Sequence, residues 1–435
     1  MNLSIKNLLR LFFLASLTTL LAACGKNPAP SSDATMRVLN LSVDIGAVNV
    51  AYEDGTDNYV SFASAIDREK NSNYSTVKAG GRNFKVSSVS GGGSLLQQSI
   101  VTSADTHYSL ILFGTSSSAR ILTLADNMAE PESGKMRLRV VMAAAGLDAL
   151  DFYLTPSNAD LATTSPTFSG LTGGAVTSTA DFTAGQYQLR ATISGTKTIV
   201  YDGGNFTFAD KDRYTLALYT AGSNKLANGV LLKNDDAGMV TYAKNSLGRY
   251  RLVQGISDYA AVNAIVDNNV TFSNVPYKGY TGYVSATTQA HNLKIEPTVT
   301  PGTYIVNQAL SLNAANDHTV LLTGKIGSAS AVVVSDNTLP SLIGKARVRF
   351  VHGSAGAGKF DVFVNYQISV SALAEQSASG YTDYDPNTYA FSVNNAGTTT
   401  QLLNLTSVLL EANNVYTIFL VGQAGALQGV LVKDN

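Results

Sequence analysis

Residues 346–365 read ARVRFVHGSAGAGKFDVFVN, and this stretch decides the fold class. Its first half alternates arginine with Val348 and Phe350, and residues 360–364 alternate again after a glycine-rich turn. Apolar residues at every second position share one face of a β-strand. Two such runs joined by a turn of small residues indicate paired strands. The stretch therefore predicts a β-sheet.

The same register occurs three more times upstream. In each copy an arginine precedes an Asp or Asn by twelve positions: Arg37 and Asn49, Arg139 and Asp151, Arg251 and Asn263, and Arg349 and Asp361. A ring residue opens a strong strand late in each copy: Tyr108, Tyr214, His318 and Tyr416. The copies predict four domains at residues 36–128, 136–236, 248–337 and 345–435, called repeats 1 to 4 below.

Each repeat holds roughly seven strand-like runs with frequent turn signals and no useful helical period, which is typical of an antiparallel β-sandwich. We therefore predict an all-β protein of tandem sandwiches. Repeats of this size have room for a core each, so we expect beads on a chain rather than a solenoid. The late tyrosine resembles the tyrosine corner of immunoglobulin-like folds, whose hydroxyl bonds upstream backbone. His318 keeps a ring and a polar tip, so it is suited to the same role.

The recurring Arg and Asp or Asn positions have two readings. They could form a ligand site, but we favour a cross-strand charge pair such as Arg349 with Asp361. Opposite charges on neighbouring strands stabilise a sheet by ~0.2–1 kcal/mol. Asn49 and Asn263 would keep a hydrogen bond in that pair.

Composition excludes some classes of function. The 435 residues are 45% apolar and 14% charged, with a net charge of -1. Nucleic-acid binding depends on clustered Lys and Arg, for which this balance gives no support. The single cysteine allows no intramolecular disulfide.

That cysteine directly follows a stretch with the three parts of an export signal. Lys6 and Arg10 precede an apolar run, and LAAC at residues 21–24 follows it. The run is too short to span a bilayer, which needs ~20 apolar residues. LAAC resembles the bacterial lipobox, so we predict a signal peptide at residues 1–23 and acyl chains on Cys24. Residues 24–35 form a Pro- and Ser-containing tether.

The repeats also resemble a known family. RVRFVHGS at residues 347–354, FDVFVN at 360–365 and YTIFLVG at 416–422 are similar to the exported bacterial domains numbered 4397 among domains of unknown function. Proline is missing after Ser354, and Asn49 and Asn263 stand where the family has Asp. The resemblance implies immunoglobulin-like sandwiches in the cell envelope, often lipid-anchored, with no catalytic residues.

No motif in the sequence points to catalysis. Residues 353–359 have the spacing of a phosphate-binding loop, but Phe360 replaces the Ser or Thr that holds magnesium. The four histidines show no metal-ligand spacing. We therefore expect no enzyme activity, no cofactor and no metal site. Asp and Asn at each repeat end, such as Asp336, leave calcium at the junctions as an open alternative.

Tyrosines are the best candidates for a binding surface. Tyr277, Tyr280, Tyr283, Tyr381 and Tyr384 offer apolar faces with polar edges, although packing inside the sandwich is the simpler interpretation. The leading hypothesis is a non-enzymatic spacer, adhesion or protein-interaction module, anchored in the outer membrane through Cys24, with an envelope protein or glycan as partner. A carbohydrate-binding protein is the alternative, and an envelope hydrolase is a weaker one. The carbohydrate reading requires these tyrosines to be exposed and coplanar.

Overall fold

The computed structural model describes residues 32–55, 58–89, 93–234, 239–339, 341–342 and 344–435. Every regular element in these residues is a β-strand, and none of them forms a helix of the length and hydropathy needed to cross a membrane. The predicted all-β class is confirmed. The predicted signal peptide and Cys24 lie outside the described residues.

The described residues form thirty-four strands. Repeat 1 contains β1 (Asp33–Asn40), β2 (Val48–Glu53), β3 (Tyr59–Ile66), β4 (Lys70–Asn71), β5 (Ser75–Lys78), β6 (Gly80–Ser88), β7 (Ser94–Thr102), β8 (His107–Phe113) and β9 (Arg120–Ala125). Repeat 2 contains β10 (Lys135–Ala143), β11 (Leu150–Thr155), β12 (Phe168–Leu171), β13 (Ala180–Thr183), β14 (Gly185–Ile193), β15 (Ile199–Phe208), β16 (Arg213–Tyr219) and β17 (Asn228–Lys233), and β18 (Val240–Ala243) follows it.

Repeats 3 and 4 have eight strands each. Repeat 3 contains β19 (Leu247–Gln254), β20 (Ala261–Val266), β21 (Asn269–Pro276), β22 (Val284–Thr287), β23 (His291–Pro297), β24 (Val306–Leu310), β25 (Asp317–Thr323) and β26 (Ser330–Asp336). Repeat 4 contains β27 (Ala346–His352), β28 (Phe360–Val364), β29 (Gln367–Leu373), β30 (Thr382–Tyr384), β31 (Asn387–Asn395), β32 (Gln401–Leu410), β33 (Val415–Val421) and β34 (Gln428–Lys433).

Each repeat is a sandwich of two sheets. In repeat 4 one sheet has the order β30, β27, β33, β34 and the other β29, β28, β31, β32, and the other repeats follow the same plan. The first strand runs parallel to the penultimate one, so that Arg349 lies opposite Thr417. The other strand pairings are antiparallel, as in β28 with β31. The predicted sandwich is therefore correct, with one parallel pairing per repeat.

Each sandwich has its own apolar core, as predicted for separate beads. In repeat 4, Val348, Phe350, Phe360, Val362 and Phe391 fill the space between the two sheets. Equivalent clusters fill the other three repeats. The alternation read in the sequence gives the reason, because every second residue of β27 points into this core.

The expectation of beads on a chain is wrong, because the outer faces of the sheets are also buried. Repeats 1 and 2 pack sheet against sheet through residues of β1, β8, β10 and β16, which form one cluster. Repeats 3 and 4 pack in the same way, with Val253 and Leu321 against Val351 and Phe419. All seven residues of β27 are buried as a result. The chain is built from two docked pairs, called pair 1–2 and pair 3–4 below.

The two pairs also touch each other. Ser223 of repeat 2 donates its backbone N–H to the carbonyl of Ala315 in repeat 3 at 3.2 Å, and Thr338 donates to Gly222 at 3.1 Å. Ala315 packs into the core cluster of repeat 2. Strand β18, beyond the predicted end of repeat 2, extends a sheet of that repeat by pairing with β17. Segments between repeats thus take part in the packing.

Candidate functional site

The recurring arginine and the residue twelve positions later do not pair with each other. Arg349 lies on β27 in one sheet, and Asp361 lies on β28 in the opposite sheet. The preferred interpretation as a cross-strand charge pair is therefore wrong. The arginine points out of the sandwich, away from the core residues Val348 and Phe350. The arginine and the residue twelve positions later therefore have separate structural roles.

The Asp or Asn position holds a bulge in the neighbouring strand. Its side-chain oxygen accepts the backbone N–H of a residue with positive φ in all four repeats: Ala65 on Asn49 at 2.9 Å, Gly170 on Asp151 at 2.9 Å, Asn274 on Asn263 at 2.9 Å and Ala372 on Asp361 at 2.8 Å. A left-handed residue in a strand needs such support because its N–H leaves the ladder. Asn and Asp are interchangeable here because both supply the acceptor.

The carboxylates use their second oxygen as well. Asp361 also accepts the N–H of Gly397 at 2.8 Å, and the backbone bonds from Ala372 and Gly397 lower its pKa. Asp151 likewise accepts from Gly195 at 2.9 Å. These groups fix turns of the sandwich.

The arginines meet in pairs between docked repeats. In pair 3–4, Arg349 donates to the carboxylate of Asp336, and Arg251 donates to that of Asp434. Asp336 ends the last strand of repeat 3, and Asp434 directly follows the last strand of repeat 4. Each arginine therefore binds the end of its partner repeat. All four side chains are at most 2% exposed. The arrangement is a buried four-charge cluster, called centre 3–4 below.

Hydroxyl groups satisfy the remaining hydrogen bonds of centre 3–4. The Nε atoms of Arg251 and Arg349 donate to Thr319 and Thr417, each at 2.9 Å. Thr319 in turn donates to Asp336 at 2.7 Å. A buried ion pair is stable only when its lone pairs and protons are satisfied in this way. The strand pairing β27 with β33 makes it possible because it sets Arg349 beside Thr417.

The pKa values of the two aspartates of centre 3–4 are shifted in opposite directions. Burial opposes the ionised form of Asp336, but the charges of Arg349 and Arg251 outweigh it and lower its pKa. Burial raises the pKa of Asp434, against the pull of Arg251. Like charges in one buried site push their pKa values apart in this manner.

Two of the five predicted surface tyrosines belong to this centre. Tyr283 lies under Arg251 and Tyr381 under Arg349, each with 4.8 Å between the guanidinium carbon and the ring centroid. Burial raises the pKa of both phenols. Tyr283 donates to Asp336 at 2.6 Å. Both rings are therefore structural parts of the repeat junction.

The other three tyrosines have separate settings. Tyr277 packs against the apolar contact of pair 3–4, and Tyr280 is 52% exposed. Tyr384 is half-buried and packs edge-on against Tyr389 at 5.5 Å. The five rings do not form one exposed, coplanar platform. The predicted shared tyrosine surface is therefore wrong, because its members divide between junction, edge and core.

Pair 1–2 has an equivalent centre, in which Asn234 takes the position of one of the two aspartates. Arg37 and Arg139 donate from Nε to Ser109 and Thr215, each at 2.7 Å. Both guanidinium groups approach Asp126, at 3.6 and 3.4 Å. The position of a second aspartate is taken by Asn234, which donates to Asp126 at 2.7 Å. We call this cluster centre 1–2.

The sequence shows an Asp or Asn at the end of each repeat, but it does not show which residues these side chains contact. Asp126, Asn234, Asp336 and Asp434 were visible as a recurring end of each repeat. Calcium was the open alternative for them, but arginines engage Asp336 and Asp434. Within the described residues, no three metal-ligating side chains are grouped around a common point. The recurrence was a signal, although it did not reveal contacts between repeats.

The tyrosine corner is present in two repeats. The hydroxyl of Tyr108 accepts the backbone N–H of Ser103 at 2.9 Å, and that of Tyr416 accepts from Glu411 at 3.2 Å. Tyr214 instead donates to Asp212 at 2.9 Å. His318 makes the same bond as the tyrosines, because its Nε2 accepts from the N–H of Asn313 at 3.1 Å.

The contacts of His318 select its neutral form. Nδ1 lies 3.2 Å from the carbonyl oxygen of Arg249, so it carries the proton, and Nε2 must stay unprotonated to accept from Asn313. Burial lowers the pKa of this imidazole. His352 is held similarly, with Nε2 donating to Gly358 at 2.8 Å and Nδ1 facing the N–H of Ser354 at 3.3 Å. Burial lowers its pKa as well.

Replacing His318 with tyrosine should reduce the acid sensitivity of repeat 3. Below the ordinary histidine pKa of 6.5, the unfolded chain binds a proton that the folded chain refuses, so stability falls as pH falls. A tyrosine at this position would stay neutral throughout. Urea unfolding at pH 7.5 and pH 5 should show a smaller loss for His318→Tyr than for the wild type.

His291 provides the control for that experiment. It contacts Asp267 at 2.6 Å, and although burial opposes the charged form, Asp267 and the Thr287 carbonyl raise its pKa. A raised pKa stabilises the fold in acid, so His291→Asn should not reduce the acid loss. Equal acid losses in His318→Tyr and the wild type would contradict the assignment.

The glycine-rich turn of repeat 4 binds a carboxylate of its own chain. Gly356 and Gly358 donate their N–H groups to Glu375 at 3.2 and 2.7 Å. Both glycines have positive φ, and β28 follows them where a phosphate-binding loop would lead into a helix. The rejected nucleotide site is therefore a closed turn.

Comparison with known protein families shows which family this chain resembles. The family described as "Domain of unknown function (DUF4397)" matches residues 34–153, 248–363 and 346–435. The first match runs past repeat 1 into β11, and the second runs past repeat 3 into β28, so each includes the arginine-bearing strand of the docked partner. No curated protein matches the chain.

One solved structure is titled "The Bacillus anthracis TIE protein". It shares 10% identity, covers 91% of this chain and 74% of its own, and has a TM-score of 0.16. That score is too low to support an argument about fold or function. The family matches together span well over half of the 435 residues, and the chain belongs to the DUF4397 family, a domain of unknown function.

Proposed function

We propose that this protein is a non-enzymatic, lipid-anchored protein of the bacterial outer membrane. Its four sandwiches would act as a stiff spacer that presents loops and sheet edges to an envelope protein or glycan. This proposal rests on the contacts that the buried polar clusters make. The arginines and aspartates of both centres join neighbouring repeats.

Docking between repeats supports the spacer role. Apolar contacts and a buried charge cluster hold each pair together. Backbone hydrogen bonds then join repeat 2 to repeat 3. Relative motion is the default for domains with small polar interfaces, whereas apolar sheet-on-sheet contacts resist it. An array of this kind keeps a fixed distance between its two ends.

The predicted anchor would hold repeat 1 near the membrane. Strand β1 starts at Asp33, nine positions after Cys24. A fully extended chain of that length spans about 30 Å. Several acyl chains anchor a protein stably, whereas one chain binds only marginally.

The lipobox predicts a large effect of one substitution. Cys24→Ala should remove the acylation site and move the protein from the membrane fraction to the soluble fraction of cells. Palmitate labelling, read on the same protein, should disappear with it. A fully membrane-bound Cys24→Ala variant would contradict lipid anchoring. Lys26→Ala, which leaves the lipobox unchanged, is the control and should remain labelled and bound.

Protease treatment of intact cells then tests whether the array lies outside the cell or in the periplasm. Digestion of the labelled protein would place the array outside the cell, where adhesion to proteins or glycans is the relevant activity. Protection would place it in the periplasm and favour a role within the envelope. Hydrolysis of envelope polymers by the purified protein would contradict the non-enzymatic proposal.

A further inference from the structure

A cavity opens at the side of repeat 4, where the edge strands of its two sheets meet. Strands β29 and β30 each end one of these sheets, and the hydroxyls of Ser369 and Tyr384 join them at 2.8 Å. The cavity has a volume of ≈ 430 Å³ and is lined by residues 364, 365 and 367–369 together with Tyr384 and Tyr389. Binding sites for small molecules measure ~300–1,000 Å³, so a ligand of that class fits.

The lining of this cavity is aromatic and uncharged. Tyr384 and Tyr389 are half-buried and pack edge-on with 5.5 Å between their ring centroids, which holds both rings in place. Lys345 and Asp385, which lie close to Tyr389, pair with each other at 2.7 Å. None of the described residues that line the cavity carries a charge. An ionic ligand would therefore find no counter-charge in the lining, whereas a neutral ligand needs none.

Two amide side chains offer hydrogen bonds to a ligand. The Oδ1 atom of Asn365 accepts the backbone N–H of Ala390 at 3.0 Å, which fixes this side chain at the cavity. Within the described part of the chain, neither the amide nitrogen of Asn365 nor the amide of Gln367 has a protein partner. A primary amide donates and accepts, as a hydroxyl group does, so these amides match a ligand with several hydroxyl groups.

The loop at the cavity holds a tyrosine in an unfavourable backbone conformation. Asn365 and Tyr366 join β28 to β29, and both have positive φ, 46° and 69°. Two-residue hairpin loops of this kind favour Asn-Gly, and bulky residues rarely adopt a left-handed conformation. The equivalent loop of repeat 3 has Asp267 and Asn268, which tolerate it. The turn itself thus gives no reason for an aromatic residue at position 366.

Burial gives no reason for this tyrosine either. Tyr366 is 90% exposed, and Ile368 nearby is 53% exposed. The chain neighbours of Tyr366, Asn365 and Gln367, both line the cavity, so Tyr366 stands at its rim. The apolar face of a tyrosine packs on the C–H face of a sugar ring, while amides bond the hydroxyl groups at the edge of that ring. Strain and exposure of Tyr366 both have an explanation if its ring covers such a ligand.

Repeat 3 has a different set of side chains at this place. By strand pairing, Ala286 and His291 take the positions of Tyr384 and Tyr389. His291 contacts Asp267 at 2.6 Å, so an ion pair stands where repeat 4 has two rings. The combination of aromatic rings and amides is therefore a property of repeat 4 and not of the shared sandwich plan.

We propose that the cavity between β29 and β30 binds a neutral sugar unit of a glycan. Asn365 and Gln367 bond the hydroxyl groups of the sugar, and Tyr366 stacks on its ring. This inference rests on the proposed role of presenting sheet edges to a glycan, and it names the edge and the chemistry of the glycan. Of the five tyrosines predicted as a binding surface, Tyr384 alone belongs to this site.

Saturation-transfer NMR on the detergent-solubilised full-length protein provides the test. Cellobiose, maltose and N,N′-diacetylchitobiose are the neutral probes, and glucuronic acid is the charged one. The wild type should bind at least one neutral probe more tightly than glucuronic acid. Tyr366→Asn and Gln367→Leu should each weaken this binding about fivefold, because one removes the stacking face and the other the amide. Tyr366→Phe keeps the ring and should retain most of the affinity.

Matched controls separate binding from folding. Tyr366→Asn reproduces the residue of repeat 3 at this turn, so its urea unfolding should show no loss of stability. Tyr280→Asn makes the same change at an exposed tyrosine of repeat 3 and should leave sugar binding unchanged. Equal affinities in the wild type, Tyr366→Asn and Gln367→Leu would overturn the proposal, as would tighter binding of glucuronic acid than of every neutral probe.

The sugar site and the membrane anchor fail independently. Palmitate labelling of the wild type together with no binding of the three neutral probes would overturn the sugar site and leave the anchored spacer standing. Sugar binding by a protein that carries no palmitate label would support this site and contradict the anchor.

Discussion

Arg349→Met is expected to lower the free energy of unfolding of pair 3–4 by about 3–5 kcal/mol. The substitution keeps an unbranched apolar stem and removes the guanidinium group with its charge. Asp336 and Asp434 would then share the single arginine Arg251, which leaves one buried carboxylate without a counter-charge. Breaking a buried pair from one side is far more damaging than replacing the whole cluster by apolar residues.

Urea unfolding followed by circular dichroism measures the loss. Lys345→Met is the matched control, because Lys345 also pairs with an aspartate of repeat 4, Asp385 at 2.7 Å, but at an exposed site. That variant should unfold almost as the wild type does. The loss in Arg349→Met should shrink in acid, since protonation of one carboxylate removes the unpaired charge. A loss no larger than that of the control would refute the role assigned to Arg349.

Phe419→Ala should undock repeats 3 and 4 at a cost of about 3–5 kcal/mol. Phe419 is fully buried, yet it belongs to the contact between the two repeats and not to the core of repeat 4. Its removal leaves a cavity beside Val253, Leu321 and Val351, which neither sandwich can refill alone. Hydrogen exchange should therefore accelerate on β19 and β25 of repeat 3, although the substituted residue is in repeat 4.

Phe350→Ala separates docking from folding. Phe350 is equally buried but packs inside repeat 4, edge-on against Phe391 at 5.7 Å. Its removal should accelerate exchange chiefly within repeat 4. If Phe419→Ala left the exchange of β19 and β25 at the wild-type rate, the apolar contact would not couple the two repeats.

Local patterns predicted much of the fold. The alternation in residues 346–352 placed Val348 and Phe350 in the core and Arg349 on the other face, as found in β27. The ring residue of the penultimate strand also behaved as expected in repeats 1, 3 and 4. These features depend on strand period and on bonds between residues five apart, so the sequence contains them.

Contacts between repeats escaped the same reasoning. Arg349 and Asp336 are thirteen positions apart and belong to different repeats, while Arg251 and Asp434 are 183 positions apart. A twelve-residue register suggested Asp361 as the partner, because spacing alone cannot tell which sheet the second strand joins. For the same reason the sequence did not reveal that Tyr283 and Tyr381 are covered by arginines from β19 and β27, although packing was the simpler interpretation of these tyrosines.

The amino-acid sequence by itself determined the strand pattern, the number of sandwiches, the ring residue of the penultimate strand and the resemblance to the family. Those properties follow from the two-residue period of a strand and from short-range hydrogen bonds. Only the tertiary structure decided that the outer sheet faces are buried and that Arg349 binds Asp336. The sequence of a strand does not show whether water or another domain covers its outer face. Packing between residues that are far apart in the chain decides this.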